Sequence, residues 1–411
     1  MAVVITVCFL LLFAYVFDIS AARTKIPSVI LLLLLGWGVQ QATSLIYFTL
    51  PDLNAILPAL GTVGLILIVL EGSLELELNR SKLRFVAQSS FLAFVPMLLF
   101  SFALAYAFDY FGDTGMKNGL ANAIPFAIIS SAIAIPSAQN LLPKNRAFVT
   151  YESSLSDILG VIFFNFITLN TEINTESFGI FFFQILIILA ISFAATLSLA
   201  FLISKIKHHV KFVPIILMII LIYAIAKHYH LPALVFILLF GLFLGNLDEL
   251  RHFKFIQRLR PEVLEDEVHK FKDLIGEFAF LIRALFFLLF GYLIKTEELL
   301  NSNTIVWAAA IMVGIFVTRF IFLKLARLPA MPLLFIAPRG LITILLFLSI
   351  PVAQASPLAN NSLIIQVIIL SALAMMVGLM LHKKANPEAV IADEETANEE
   401  IKDGEIKEIT E

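Results

Sequence analysis

The feature that most limits what this chain can fold into is a recurrence. Apolar stretches follow one another from residue 2 to about residue 382, divided by short polar loops. A stretch of about 20 apolar residues matches the hydrocarbon thickness of a bilayer. Thirteen candidates lie near 2–18, 26–42, 56–76, 87–108, 119–140, 149–168, 178–204, 212–228, 230–247, 273–294, 303–325, 330–354 and 361–382. Hydrophobic residues make up 60% of the 411 and charged residues only 14%, too little polar surface to solvate a water-soluble body of this size. Strands with open edges cannot satisfy their backbone in lipid, so the candidates read as helices and the fold as an all-α membrane protein of about thirteen transmembrane helices.

Charge in the loops orients these spans. Alternate loops are basic: Arg23 and Lys25; Arg80, Lys82 and Arg84; Lys144 and Arg146; Lys205, Lys207 and Lys211; Arg251, Lys254, Arg258 and Arg260; Lys324 and Arg327; Lys383 and Lys384. Basic loops face the cytoplasm, which sets the N-terminus outside and the C-terminus inside. The first run, Ala2 to Phe17, has no basic residue before it, so it reads as a true span rather than a secretion signal. The single cysteine, Cys8, excludes an intrachain disulfide. No basic face with interleaved aromatics supports nucleic-acid binding. Residues 385–411 are acidic and poor in aromatics, and read as a disordered cytoplasmic tail.

The chain also repeats. Lys25-Ile26-Pro27-Ser28-Val29 running to Gly36 resembles His230-Leu231-Pro232-Ala233-Leu234 running to Gly241; the prolines (27 and 232) and the glycines (36 and 241) are each 205 positions apart. The next spans end alike, Leu70-Glu71-Gly72-Ser73-Leu74 beside Leu289-Phe290-Gly291-Tyr292-Leu293. The copies lie seven spans apart, and an odd separation inverts one relative to the other. Inverted repeats are a device of secondary transporters. The transmembrane domain, 1–384, then divides into repeat one (about 1–170), a linker span (about 178–204) and repeat two (about 212–384).

A charge near mid-bilayer costs at least about 2.5 kcal/mol, so each one needs a reason. Glu152, Asp157, Glu277, Arg283, Arg319 and Arg339 stand out, with Glu71 near a span end. In the sixth span Ser153, Ser156, Asp157 and Gly160 fall on one helical stripe. Desolvation disfavours a bare carboxylate there, and a carboxylate among hydroxyls with no fixed cation suits a proton or a small hard cation, one at a time. The competing reading of Asp157 is a structural hydrogen-bonding residue. Glu152 faces a different neighbour and is expected to form a permanent buried pair with Arg319. The fifth and twelfth spans, equivalent under the repeat, carry helix-weakening residues: Pro125 and Pro136 in one, Pro332, Pro338 and Gly340 in the other. Helices broken near the midplane expose free backbone groups around a site, and Arg339 is placed to offset the carbonyl ends.

These residues resemble the monovalent cation:proton antiporter superfamily, in particular its sodium/proton exchangers. The family's Glu-Ser-x-x-Asn-Asp stands here as Glu152-Ser153-Ser154-Leu155-Ser156-Asp157, its Arg-Gly as Arg339-Gly340, its embedded arginine one span earlier as Arg319, and its basic-Ile-Pro-Ser as Lys25-Ile26-Pro27-Ser28. The resemblance implies two crossed broken helices (Pro136, Pro338, Arg339 and Gly340 at the crossing), Asp157 as the cation- and proton-binding carboxylate, Ser130 and Ser131 beside the ion with Ser153 and Ser156, and Glu152–Arg319 as the buried pair. It also implies a homodimer and an elevator-like motion. The family's Asn is Ser156 here, and Ser130-Ser131-Ala132 replaces the Thr-Asp-Pro of its first branch. Electrogenic members carry paired aspartates and a lysine in the arginine's place. This chain has neither, so electroneutral one-for-one exchange of Na⁺ or Li⁺ for H⁺ across a prokaryotic inner membrane is expected, with no cofactor and no enzymatic activity. The alternatives are a K⁺/H⁺ antiporter, a sodium-coupled organic-solute symporter, or a non-transporting sensor that uses the tail.

Overall fold

The computed structural model describes residues 2–24, 26–45, 56–76, 83–170, 172–205, 211–250 and 261–381. Among these residues there is no strand. The longer helices are α1 (Ala2–Thr24), α2 (Ser28–Leu45), α3 (Leu57–Leu74), α4 (Leu83–Gly112), α5 (Met116–Ala127), α6 (Ser131–Ser137), α7 (Pro143–Leu169), α8 (Thr175–Lys205), α9 (Phe212–His228), α10 (Leu234–Gly245), α11 (Pro261–Leu293), α12 (Ser302–Leu325), α13 (Leu341–Leu348) and α14 (Asn361–Leu381). Most of the basic loop residues used for orientation, including Lys25, Arg80, Lys82, Lys207, Arg251, Lys254, Arg258, Arg260, Lys383 and Lys384, lie outside the described residues, as does the acidic tail.

Among the described residues, eight helices are long and apolar enough to cross a bilayer, with α5 and α6 taken together as one interrupted span. Four shorter apolar stretches, Ile5–Ala21, Ser28–Thr43, Phe212–His228 and Leu234–Gly245, fall in four more of the candidate ranges. The range 330–354 departs from expectation. It holds no helix of spanning length, only turns over 331–335, irregular chain over 336–340, the eight-residue α13 and a 3-10 turn at Val352–Gln354. Pro329, Pro332 and Pro338 each lack the N–H that a helix needs, so the first half of this segment cannot close an α-helical ladder. The count of thirteen membrane-crossing helices is therefore not reproduced.

The helices form two groups. In one, α11 packs tightly on α2 and α3, and α3 on α10, with α8 and α9 against α10 and with α1 on α2 and α11. In the other, α4, α5, α6 and α7 pack together, and α12 joins α4 and α14. Sparser contacts link the groups, chiefly α3 with α6, α7 and α13, and α10 with α7. The interrupted span is the most enclosed, with 89% of its apolar window buried against 28% for α8 and for α12. The exposed faces of α8 carry Phe178, Phe182, Phe183 and Phe193, which suit lipid.

The first group depends on backbone-to-backbone approach at glycine. A Cβ on Gly36 would lie 2.8 Å from Tyr292 N and 3.1 Å from the Gly291 carbonyl carbon of α11. A Cβ on Gly241 of α10 would lie 2.7 Å from the Ser73 Cβ of α3. Neither obstacle is a flexible side-chain tip, so a side chain at either position must push two helices apart. Gly38, two residues on and so near the opposite face of α2, meets open space. We predict that Gly36→Val lowers stability by about 1–3 kcal/mol, read as thermal unfolding in detergent, while Gly38→Ala leaves it unchanged or raised. Equal losses in both variants would remove the packing argument.

Candidate functional site

The site is built around the gap between α5 and α6. Residues Ile128 to Ser130 are extended, with Ile128 at φ −77°, ψ 132° and Ser130 at φ −78°, ψ 114°. Three successive backbone N–H groups there find partners outside their own helix. Ile129 N donates to Ser156 Oγ at 3.0 Å, and Ser131 N donates to Asp157 Oδ2 at 3.1 Å, both on α7. Ser130 N donates to Pro338 O at 2.9 Å, in the non-helical part of the second broken segment. The two non-helical stretches therefore meet and bond at this point.

The polar stripe of α7 faces this gap. Ser156 and Asp157 meet residues 129 and 131, and Gly160 lies against Ile128. Asp157 is buried, 1% exposed. Its Oδ2 also accepts the Ser131 hydroxyl, so one carboxylate oxygen caps the N-terminus of α6, where an anion is favoured. Its Oδ1 has no hydrogen-bond partner, and no ion pair engages it among the described residues. The Ser130 hydroxyl is likewise buried without a partner, and a Cβ on Gly340 would lie 3.0 Å from it. The absence of a side chain at Gly340 is what admits Ser130. Ser153 behaves differently: its hydroxyl donates to Val149 O at 2.7 Å within α7 and makes no bond to Asp157.

The four residues expected at the crossing take different places, and Gly340 is the one beside Ser130. Pro338 supplies the bridging carbonyl, and Arg339 spans the junction. Pro136 lies inside α6, after the break rather than at it, because the interruption falls at 128–130. Arg339 is buried and directs Nε to Phe126 O at 2.7 Å, Nη2 to Ala127 O at 3.2 Å and Nη1 to Ala337 O at 2.5 Å. Two of these are the last carbonyls of α5, which have no helical donor and carry partial negative charge. Its own N–H donates to Ser371 Oγ at 2.9 Å. Sequence reasoning overlooked Ser371, although it is one of few polar residues on the apolar helix α14.

Glu152 and Arg319 form a two-pronged pair, with both N···O distances 2.7 Å and exposures of 2% and 7%. Arg319 Nε also donates to Leu333 O at 2.7 Å, so the pair ties α7, α12 and the turns before the second non-helical stretch together. Elsewhere, Arg283 lies 3.9 Å from Glu71 across α11 and α3.

This geometry defines a multi-pass integral membrane transporter, organised round two interrupted segments that meet beside one buried carboxylate. A family model described as "Sodium/hydrogen exchanger, transmembrane" matches residues 8–383, and the chain belongs to that family. Among solved structures it is similar to the sodium proton antiporter MjNhaP1 from Methanocaldococcus jannaschii at pH 8, with a TM-score of 0.61 and 18% identity over 93% of this chain and 96% of that one. An electron-microscopy map of the same antiporter gives a TM-score of 0.65 and 17% identity, over 93% and 95%. At these identities the likeness shows the fold. No curated protein sequence matches the chain. Family membership supports cation/proton antiport, and the structural neighbours are transporters rather than enzymes.

Removing one partner of a buried pair strands the other charge, at about 3–5 kcal/mol. Arg319→Gln is therefore expected to destabilise the protein strongly, and Glu152→Gln with Arg319→Gln to destabilise it less than Arg319→Gln alone. Thermal unfolding of the wild type, the two single variants and the double variant decides this; strictly additive losses would contradict a closed pair.

Proposed function

We propose that this protein exchanges Na⁺ or Li⁺ for H⁺, one for one and without net charge movement, and that both substrates compete for Asp157. The observation that carries this reading is the unequal state of the two carboxylate oxygens. Oδ2 is fixed by Ser131, while Oδ1 is buried with no hydrogen-bond partner and no basic neighbour in an ion pair among the described residues. A proton on Oδ1 neutralises the group, and so does a monovalent cation held by Oδ1 with the Ser130 and Ser131 oxygens. Both cannot occupy the same oxygen. Ser156 is assigned to holding the break open through Ile129, and Ser153 to a supporting place on α7.

Glu152 neutralises Arg319 and stays out of the transport cycle. Asp157 is then the one charge at the crossing that changes with load, which supports an electroneutral cycle. We further assign residues 1–170 and 212–384 to inverted halves. Gly36 and Gly241 occupy matching positions, and each lies against the closing turns of the following span from the other half. The sparse contacts between the two helix groups support an elevator-like displacement of one against the other. A homodimer in a prokaryotic inner membrane, with the N-terminus outside, completes the proposal. The neighbour in the solved structures is itself a sodium proton antiporter.

Proteoliposomes with a trapped pH dye test this. Cation-driven proton flux should vanish in Asp157→Asn while thermal stability is kept, since the Asn oxygen still accepts the Ser131 N–H. Flux that persists sinks the assignment, and loss of folding together with flux would mark Asp157 as structural. Side-by-side Na⁺, Li⁺ and K⁺ titrations identify the cation; saturation by K⁺ alone would replace the sodium reading. Clamping the membrane potential should leave the rate unchanged.

A further inference from the structure

A cavity of about 40 Å³ lies on the other flank of α7 from the Asp157 carboxylate, between α4 and α12. A water-sized guest needs roughly 10–15 Å³ by this measure, so there is room for a small solute. Its apolar wall comes from α4 and α12. Its polar wall is Glu152, Ser156, Thr318, Arg319 and Arg339. Asp157 does not line it.

The polar wall is rich in donors and poor in acceptors. A guanidinium carries five N–H groups and no acceptor. Arg319 uses three, on Leu333 O and the two Glu152 oxygens. Arg339 uses three, on Phe126 O, Ala337 O and Ala127 O. Each arginine therefore keeps two N–H groups with no protein acceptor among the described residues. The Ser156 oxygen already accepts from Ile129 N, which leaves its proton to donate, and the Thr318 hydroxyl is a further donor. The one carboxylate on this wall has both oxygens engaged by Arg319.

Charge points the same way. Two guanidinium groups and one carboxylate face the cavity, an excess of one positive charge in the interior of a membrane protein. The carbonyl end of α5 offsets about half a charge. The remainder calls for an anion small enough to fit and able to accept several N–H bonds.

We infer that this cavity is a binding site for a small monovalent anion of the halide class, which serves as counter-ion to Arg339 beside the Glu152–Arg319 pair. The anion is not a transported species. It neutralises a fixed charge of the crossing and takes up guanidinium donors that would otherwise point into apolar surroundings.

The test uses the full chain in detergent at constant Na⁺ and ionic strength, with bromide or chloride exchanged for gluconate, an anion too large for the cavity. A saturable rise in unfolding temperature with halide is expected. Thr318→Val, which removes one donor and keeps the shape, should weaken the apparent halide affinity about tenfold and leave the unfolding temperature in gluconate unchanged. Crystals grown in bromide should show an anomalous peak between the Arg319 and Arg339 side chains. A flat halide titration, equal halide affinity in both proteins, or density at that place that is water without anomalous signal would each overturn the proposal.

Discussion

Three consecutive backbone N–H groups, those of Ile129, Ser130 and Ser131, lie in the most enclosed span of the molecule and have no helical acceptor. Each unsatisfied backbone group at that depth costs several kcal/mol. The rest of the site can be understood as the means of meeting that demand. Ser156 and Asp157 of α7 take two of the donors and Pro338 O takes the third. Arg339 answers the complementary need, the stranded carbonyls of Phe126 and Ala127. The break survives only because two helices and a second broken segment converge on it.

That convergence binds structure to chemistry at one residue. Asp157 must keep one oxygen on Ser131 for α6 to begin where it does, which holds the carboxylate in place and leaves the other oxygen buried without a hydrogen-bond partner. A side chain held in this way cannot turn aside to a distant base. The Glu152–Arg319 pair has the opposite character, because both Glu152 oxygens are held by the one guanidinium. Two carboxylates five positions apart on one helix thus have different fates. One is closed and permanent, and the other is half open.

Much of this was legible in the sequence because lipid makes charge conspicuous. Asp157, Glu152, Arg319 and Arg339 stood out for being ionisable within apolar spans, and helical spacing separated the faces of Glu152 and Asp157. What was not legible follows from the limits of those signals. Periodicity gives a face and not the direction of a hydroxyl, so Ser153, on the right stripe, turned out to bond back to Val149. Proline marks a weakened helix without marking the place of the break, so Pro136 points to a crossing that in fact lies earlier, at 128–130. The turns at 331–335 looked like half of a span because they are apolar, although three prolines prevent the ladder. Ser371 carries no charge to announce it, and its role appears only when α14 is set against Arg339.

The central claim is that one carboxylate oxygen holds either a proton or a metal ion. The most direct measurement is calorimetric Na⁺ binding to the purified protein in two buffers of different ionisation enthalpy, at a pH where the unloaded site is protonated. The account predicts release of about one proton for each Na⁺ bound, with no release in Asp157→Asn. Na⁺ binding that displaces no proton from the wild-type protein would contradict it.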